Sequence, residues 1–285
     1  MFLAQAIQSS HYVDNLSPFL IEFGKGSGIG IRYYGLAYLL GFVFLFWFLH
    51  RQITLGWLRI SHEEADKVLL RIALVGVLVG GRLGYCLFYD FPGTLRAPWT
   101  ILEVWKGGMA SHGGILGVIA VMVWEARRLK IPFYHLADAA ALCTPVGLGL
   151  GRLANFINGE LWGRPFDGPW AVIFPKSGDF LPRHPSQLYE AALEGAVLFG
   201  LILWVRLRTL RTSPWSDGAT ALTFFGAYGV LRIVGECFRE PDVQIGFYFG
   251  AVTQGQILSF GMVVGALVLE ALRRAARSHR RSRAS

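Results

Sequence analysis

Charge is scarce in this chain. Aspartate, glutamate, lysine and arginine make up 16% of its 285 residues, where a soluble domain carries about 25%. With 53% hydrophobic residues and a mean hydropathy of +0.44, that shortage excludes one large soluble core and points to an integral membrane protein. Cysteine is nearly lacking as well. Cys86, Cys143 and Cys237 fit no metal-ligand spacing, and an odd number gives no closed disulfide framework. Each is expected as a small apolar packing residue. A secretory signal is missing: Met1 to Gly30 carries Asp14 and Glu22, with Lys25 as its single lysine or arginine. No His-Glu-x-x-His spacing and no Ser-His-Asp order is present, so a zinc hydrolase or a hydrolase with its own nucleophile finds no support. Internal repeats, heptads and low-complexity linkers are absent too.

What the chain does have is long apolar runs. A membrane helix needs about 20 such residues, and seven candidates run roughly over 31–50, 68–89, 109–126, 134–154, 187–205, 218–236 and 249–272. The fourth is interrupted by Asp138, Pro145 and Arg152. One set of connecting segments, with the C-terminal tail, holds 14 basic residues: Arg51, Arg59, Arg127, Arg128, Lys130, Arg206, Arg208, Arg211, Arg273, Arg274, Arg277, Arg280, Arg281 and Arg283. The opposite set holds 7: Lys25, Arg96, Lys106, Arg164, Lys176, Arg183 and Arg239. The richer set belongs in the cytoplasm, which puts the tail inside and, with seven spans, the N-terminus outside. The expected fold is therefore an all-α integral membrane protein with about seven transmembrane helices and a small extracytoplasmic cap. Residues 1–30 form an N-terminal extracytoplasmic arm, 31–272 the membrane domain with a head loop at 155–186, and 273–285 a basic cytoplasmic tail. Trp170 to Phe174 in that head loop read as a short strand among turns. The formal charge of +8 sits beside apolar runs rather than on one basic face. The tail is then an anchor on anionic membrane lipid, and nucleic acid is not the partner.

On this topology the unusual polar residues gather at one leaflet depth. Tyr34 opens the first span, Arg82 lies near the outer end of the second, and His112 near the outer start of the third. Arg152 and Asn155 close the fourth, Gln187, Glu190 and Glu194 begin the fifth, and Arg232 and Glu236 end the sixth. Ionisable residues at that depth mark functional sites. Arg232 and Glu236, four apart, also suit a simple helix-locking ion pair. The set, however, has more arginines than its carboxylates need, and Arg82, Arg152 and Arg232 repel one another unless an anion joins them. A lipid phosphate is the available anion, and arginine binds it with two parallel hydrogen bonds. His112, framed by Gly107, Gly108, Gly113 and Gly114, is placed to accept a proton.

The block Gly151-Arg152-Leu153-Ala154-Asn155-Phe156-Ile157-Asn158-Gly159-Glu160-Leu161-Trp162-Gly163 resembles the signature of the prolipoprotein diacylglyceryl transferase family. Further stretches resemble that family in order from about residue 17 to 270: Ile31-Arg32-Tyr33-Tyr34-Gly35, Gly80-Gly81-Arg82-Leu83-Gly84-Tyr85, His112-Gly113-Gly114, His184 to Glu190, and Tyr228-Gly229-Val230-Leu231-Arg232 with Glu236 and Arg239-Glu240-Pro241.

The resemblance implies an enzyme of the bacterial cytoplasmic (inner) membrane. It moves a diacylglyceryl group from phosphatidylglycerol to the lipobox cysteine of a preprolipoprotein signal peptide, leaving a thioether and glycerol phosphate. It further implies roles. Arg152 and Arg232 hold the phosphate, helped by Arg82. His112 takes the thiol proton, with Glu160 or a water as alternatives. Asn155 and Asn158 position the headgroup, Tyr34 and Tyr228 donate hydrogen bonds at the mouth, Glu236 orients Arg232, and Gly163 allows a turn. No cofactor and no metal are expected, since arginine supplies the positive charge. Read without the resemblance, the same residues serve a lipid or anion transporter equally well. A non-catalytic receptor for anionic lipid is a further rival, and a membrane-embedded protease lacks its nucleophile–base motif.

Overall fold

The computed structural model describes residues 11–24, 26–212, 218–241, 248 and 250–282. Residues 1–10 of the expected arm and 283–285 of the tail lie outside them. The chain runs β1 (Tyr12–Val13), β2 (Phe19–Glu22), β3 (Gly30–Arg32), α1 (Tyr33–Thr54), α2 (His62–Phe88), α3 (Phe91–Arg96), α4 (Ser111–Arg128), α5 (Phe133–Ile157), β4 (Val172–Ile173), β5 (Pro182–Arg183), α6 (residues 186–212), α7 (Ala219–Glu236) and α8 (Gln254–Ser282). Among the described residues five helices are long and apolar enough to cross a membrane: α1, α2, α5, α6 and α8. The two remaining expected spans are helices of 18 residues each. Charge lowers their mean hydropathy: α4 ends on Glu125, Arg127 and Arg128, and α7 carries Arg232 and Glu236 in its last turns.

Several boundaries have local causes. Ser61 caps α2 by accepting from the Glu64 amide at 3.1 Å, the arrangement expected of Ser-x-x-Glu. Both α2 and α6 widen into π-helical turns, at Ile72–Val79 and Ala191–Val197. Such widenings recur at functional sites. α5 continues through Asp138, Pro145 and Arg152 as one helix of 25 residues, although proline removes one backbone bond there.

By internal packing the chain divides into two units. One comprises residues 46–140 and 214–218. Its core gathers Leu49, Leu58, Ala65, Met122, Ala126, Leu136 and Ala139. Glu125, wholly buried, is held by Arg71 at 2.8 Å and Arg128 at 2.8 Å.

The other unit comprises residues 1–45, 141–213 and 219–285. Here α7 packs along α8. A small sheet joins β1 in parallel to β4 and β4 antiparallel to β5, over the fully buried Ile173 and Phe174. The expected strand in the head loop is thus present, shortened to Val172–Ile173, and residues 12–13 of the arm belong to the same sheet. β2 and β3 make a separate hairpin. Cys86 and Cys143 are buried as expected, whereas Cys237 is exposed.

Candidate active site

The second unit holds a buried ionic cluster at the crossing of three helices. α5 and α6 approach closely at paired glycines: a Cβ on Gly149 would lie 3.1 Å from the Gly195 Cα, and one on Gly195 2.9 Å from the Gly149 Cα. One turn further along α5, Arg152 reaches two carboxylates on α6. Its Nη1 lies 2.9 Å from Glu190 Oε2, and its Nε donates to Glu194 Oε2 at 3.1 Å. From α7, Arg232 donates to Glu190 Oε1 and to Glu236, and lies 3.3 Å from Glu194 Oε1. Arg239 joins Glu236 at 3.5 Å, and Thr253 donates to the same carboxylate at 3.0 Å. Glu190 and Glu194 are 0% exposed.

This cluster corrects the expectation of surplus positive charge. Within the unit, Arg152, Arg232 and Arg239 face Glu190, Glu194 and Glu236, three charges against three. Glu190 and Glu194 sit on the polar first turns of α6, and only the α5–α6 crossing shows which arginines they neutralise. The carboxylates fix the directions of the Arg152 and Arg232 guanidiniums. Tyr228 is half-buried one turn before Arg232, within electrostatic reach of Glu194, Arg232 and Arg152.

Beside the cluster lies a cavity of about 430 Å³, apolar along Phe42, Leu45 and Leu148, with Tyr34, Arg152 and Asn155 also in its lining. A more open cavity of about 710 Å³ is lined by Arg32, Tyr34, Asn158 and Glu160. Tyr34 and Tyr38 line both. At their meeting the Glu160 carboxylate accepts from Asn155 Nδ2 at 2.8 Å and from Asn158 Nδ2 at 3.4 Å. Neutral amides hold it, rather than an arginine. Gln187 fixes the backbone beneath it, donating to the Glu160 carbonyl at 2.7 Å.

The segment after Glu160 is stitched on both sides. Gly163 donates to the His184 carbonyl at 3.0 Å, and Arg164 to the Phe238 carbonyl at 2.9 Å. The expected turn at Gly163 is absent. Its φ is not positive, and what glycine permits there is close approach, since a Cβ would meet His184 O at 2.4 Å and Phe238 O at 2.7 Å. The turn is made at Gly159, with φ +58°. Asp14 packs against Gly159, and Lys176 donates to the Asn158 carbonyl. Burial pushes the Asp14 carboxyl above its ordinary value. Burial also lowers His184, whose ring stacks on Phe166 with centroids 3.9 Å apart. At Asp179 burial acts upward but is outweighed by Arg183, the Ser177 hydroxyl and the Leu181 amide, which hold the carboxyl at about 2.

His112 and Arg82 belong to the first unit. His112 is exposed in the first turn of α4, and Gly113 lets the α2 backbone approach, a Cβ there falling 2.6 Å from the Gly84 Cα. Arg82 is buried and donates to four carbonyls, those of Thr100, Ile101, Gly107 and Gly108. Its guanidinium organises the loop between α3 and α4. Sequence reasoning placed Gln187, Glu190 and Glu194 at the right level without giving them partners, and it missed Lys176 and Asp14. Among the described residues no group of three histidine, cysteine, aspartate or glutamate side chains is arranged to hold a metal ion.

A family model described as prolipoprotein diacylglyceryl transferase matches residues 19–272. Three curated relatives carry the name phosphatidylglycerol–prolipoprotein diacylglyceryl transferase. That of Pasteurella multocida (strain Pm70) is 46% identical over 269 residues, covering 92% of this chain and 95% of the relative. That of Vibrio vulnificus (strain CMCP6) is 45% identical over 260 residues, covering 90% and 91%. That of Shewanella sp. (strain MR-4) is 44% identical over 261 residues, covering 90% and 95%.

Proposed function

The chain belongs to the prolipoprotein diacylglyceryl transferase family, and from that premise we propose how its residues carry the reaction. It is a transferase of lipoprotein maturation. A diacylglyceryl group passes from phosphatidylglycerol to the cysteine thiol of a prolipoprotein. In this reading the cysteine is that of the lipobox, and seven helices span the bacterial inner membrane. The N-terminus and a small cap built on β1, β4 and β5 lie outside, and the basic tail inside.

The observation that carries the reading is the cavity of about 430 Å³ that is apolar along Phe42, Leu45 and Leu148 and has Arg152 and Asn155 in its lining. A phospholipid has that shape: acyl chain, then phosphate. The phosphate meets Arg152 and Arg232. The acceptor brings its own sulfur nucleophile, so the enzyme needs none. The thiol loses its proton, since the thiolate is what attacks. Sulfur then bonds to the glycerol carbon next to the phosphate, and the carbon–oxygen bond breaks. The electron pair leaves on the phosphate of glycerol phosphate, where negative charge rises. Arginines already aimed at that point stabilise the transition state more than the ground state.

Two groups serve as proton acceptor in this proposal, His112 and Glu160. Glu160 is the one in the unit that holds both arginines, and its carboxylate accepts from neutral amides. Asn155 and Asn158 set the position of that carboxylate as well as the headgroup. Tyr34 and Tyr228 donate at the mouth, and Glu236 orients Arg232. Arg82 contributes by fixing the loop at 97–108, and Gly163 by keeping the segment after Glu160 against residues 184 and 238.

The test is direct. Purified protein in detergent receives phosphatidylglycerol and a synthetic lipobox peptide, and mass spectrometry follows the cysteine. A diacylglyceryl mass gain that Arg232→Ala abolishes supports the reading. No gain from folded protein with a validated substrate pair overturns it in favour of lipid transport.

A further inference from the structure

The turn that carries Glu160 is strained as well as stitched. Gly159 and Leu161, on either side of it, both have left-handed backbone, with φ +58° and +59°. A leucine reaches that conformation only against the clash of its own Cβ, and it persists only where the surroundings over-determine it. On one side they lie on α6: the Ser186 hydroxyl donates to the Leu161 carbonyl at 3.1 Å, and Gln187 holds the Glu160 carbonyl. On the other side they come from the small sheet. Lys176 Nζ donates to the Asn158 carbonyl. Asp14 closes on Gly159, where a Cβ would lie 3.0 Å from Asp14 Oδ2 and 3.6 Å from Lys176 Cδ.

Both groups are anchored to β4. The Asp14 amide donates to the Ile173 carbonyl at 2.9 Å, just past the pairing of β1 with β4, and Asp14 is buried. Lys176 follows β4 in the short turn Pro175–Ser177. Its ammonium is within electrostatic reach of the Asp14 carboxylate. Asn158 relays this hold to the open cavity: its carbonyl takes the lysine, while its side-chain amide donates to Glu160 at 3.4 Å. Asn158 and Glu160 both line that cavity. We propose that Lys176 and Asp14 are positioning residues for diacylglyceryl transfer, clamping the Asn158–Gly159 turn from the sheet and so setting where the Glu160 carboxylate stands. The inference rests on the reading of Glu160 given above. In this role neither side chain touches substrate; each acts through the turn.

The test uses full-length protein in detergent with phosphatidylglycerol and the lipobox peptide, and compares wild type, K176M, K176R, D14N and E160Q. K176M is expected to lower kcat about tenfold, less than the roughly 10²-fold that a 1 Å misplacement can cost, with KM for phosphatidylglycerol little changed. K176R recovers most of the rate, since a guanidinium also donates to a carbonyl. D14N keeps the shape, loses the charge and lowers kcat in the same direction. Hydrogen exchange reports the cause. The amides of Asn158, Gly159 and Glu160 donate to the Ala154, Phe156 and Asn155 carbonyls. Their exchange should quicken in K176M while β4 stays protected, which also shows that the sheet is folded. Wild-type kcat in K176M, with E160Q impaired, overturns the positioning role, as does a loss of rate accompanied by exchange rising equally through β4. Wild-type kcat in D14N removes Asp14 from the pair. E160Q at the wild-type rate removes instead the reading of Glu160 on which the inference rests, and wild type without transfer removes the enzyme reading itself.

Discussion

Arg152 and Arg232 grip opposite oxygens of the same carboxylate: Glu190 meets Arg152 through Oε2 and Arg232 through Oε1. The two arginines are locked to one another through a wholly buried acid, so neither can be altered alone without disturbing the other.

Arg152→Ala is therefore expected to act twice. It strips a guanidinium from two buried carboxylates, which costs about 3–5 kcal/mol of stability. It also removes a charge-stabilising contact, lowering kcat by roughly 10²–10³. Arg152→Lys restores much of the stability but little of the rate, because an ammonium lacks the fork. Thermal unfolding in detergent beside the peptide mass assay separates the two effects, and a variant with lowered stability and unchanged rate would count against the phosphate role.

Glu160→Gln and His112→Asn distinguish the two proton acceptors. The group that takes the thiol proton is expected to lose about 10²–10⁴ in kcat with KM little changed. The Asn155 and Asn158 amides retain an oxygen partner in Glu160→Gln, so its fold is preserved. Near wild-type turnover in His112→Asn eliminates the imidazole as base.

Gly163→Ala tests close approach. The new methyl group would lie 2.4 Å from His184 O, so the backbone must part, at a cost of roughly 1–3 kcal/mol. Scanning calorimetry of the detergent-solubilised variant should show a lower Tm, whereas a residue needed only for a turn would tolerate alanine at this φ.

Arg82→Met removes donors from four loop carbonyls. Hydrogen exchange over residues 97–108 should rise strongly, with the rest of α2 unchanged. Undisturbed exchange in that loop would mean that the guanidinium does not organise it.

The small sheet has a pH signature. Asp179 titrates near 2 in the folded chain against 3.8 ordinarily. Its contribution is complete above about pH 4 and drains as pH falls toward 2, because the unfolded chain then binds the extra proton. His184, lowered by burial, has the same sign at a higher window: the folded state prefers the neutral ring, so stability falls as pH drops below about 6.5. Fluorescence of Trp170, whose indole donates to Tyr189 at 2.7 Å, reads both, and Asp179→Asn should flatten only the acidic step.

Much of this was legible in the sequence because membranes impose strong patterns. The apolar runs located α1, α2, α5, α6 and α8, and the block from Gly151 to Gly163 contains Arg152 of the buried cluster and the Glu160 segment beside it. The partners of its arginines were not legible. Glu190 and Glu194 are four apart on α6, a spacing that says they share a face and nothing about what faces them. The pairing depends on Gly149 meeting Gly195, a contact between helices that no local periodicity encodes. Arg82 read as an anion ligand because a buried arginine looks the same in sequence whether a phosphate or four carbonyls satisfy it. Gly163 read as a turn because glycine is used both for positive φ and for close approach.

The parallel pairing of Tyr12–Val13 with Val172–Ile173 also sets a timetable. At about 5–20 residues per second of synthesis, the first strand emerges roughly 8–30 s before the strand it must join. The start of the chain has to stay available through the making of α1, α2, α4 and α5. Closure of the sheet is then a late event, and a ribosome stalled before residue 172 would leave the Glu160 segment without the strand that backs it.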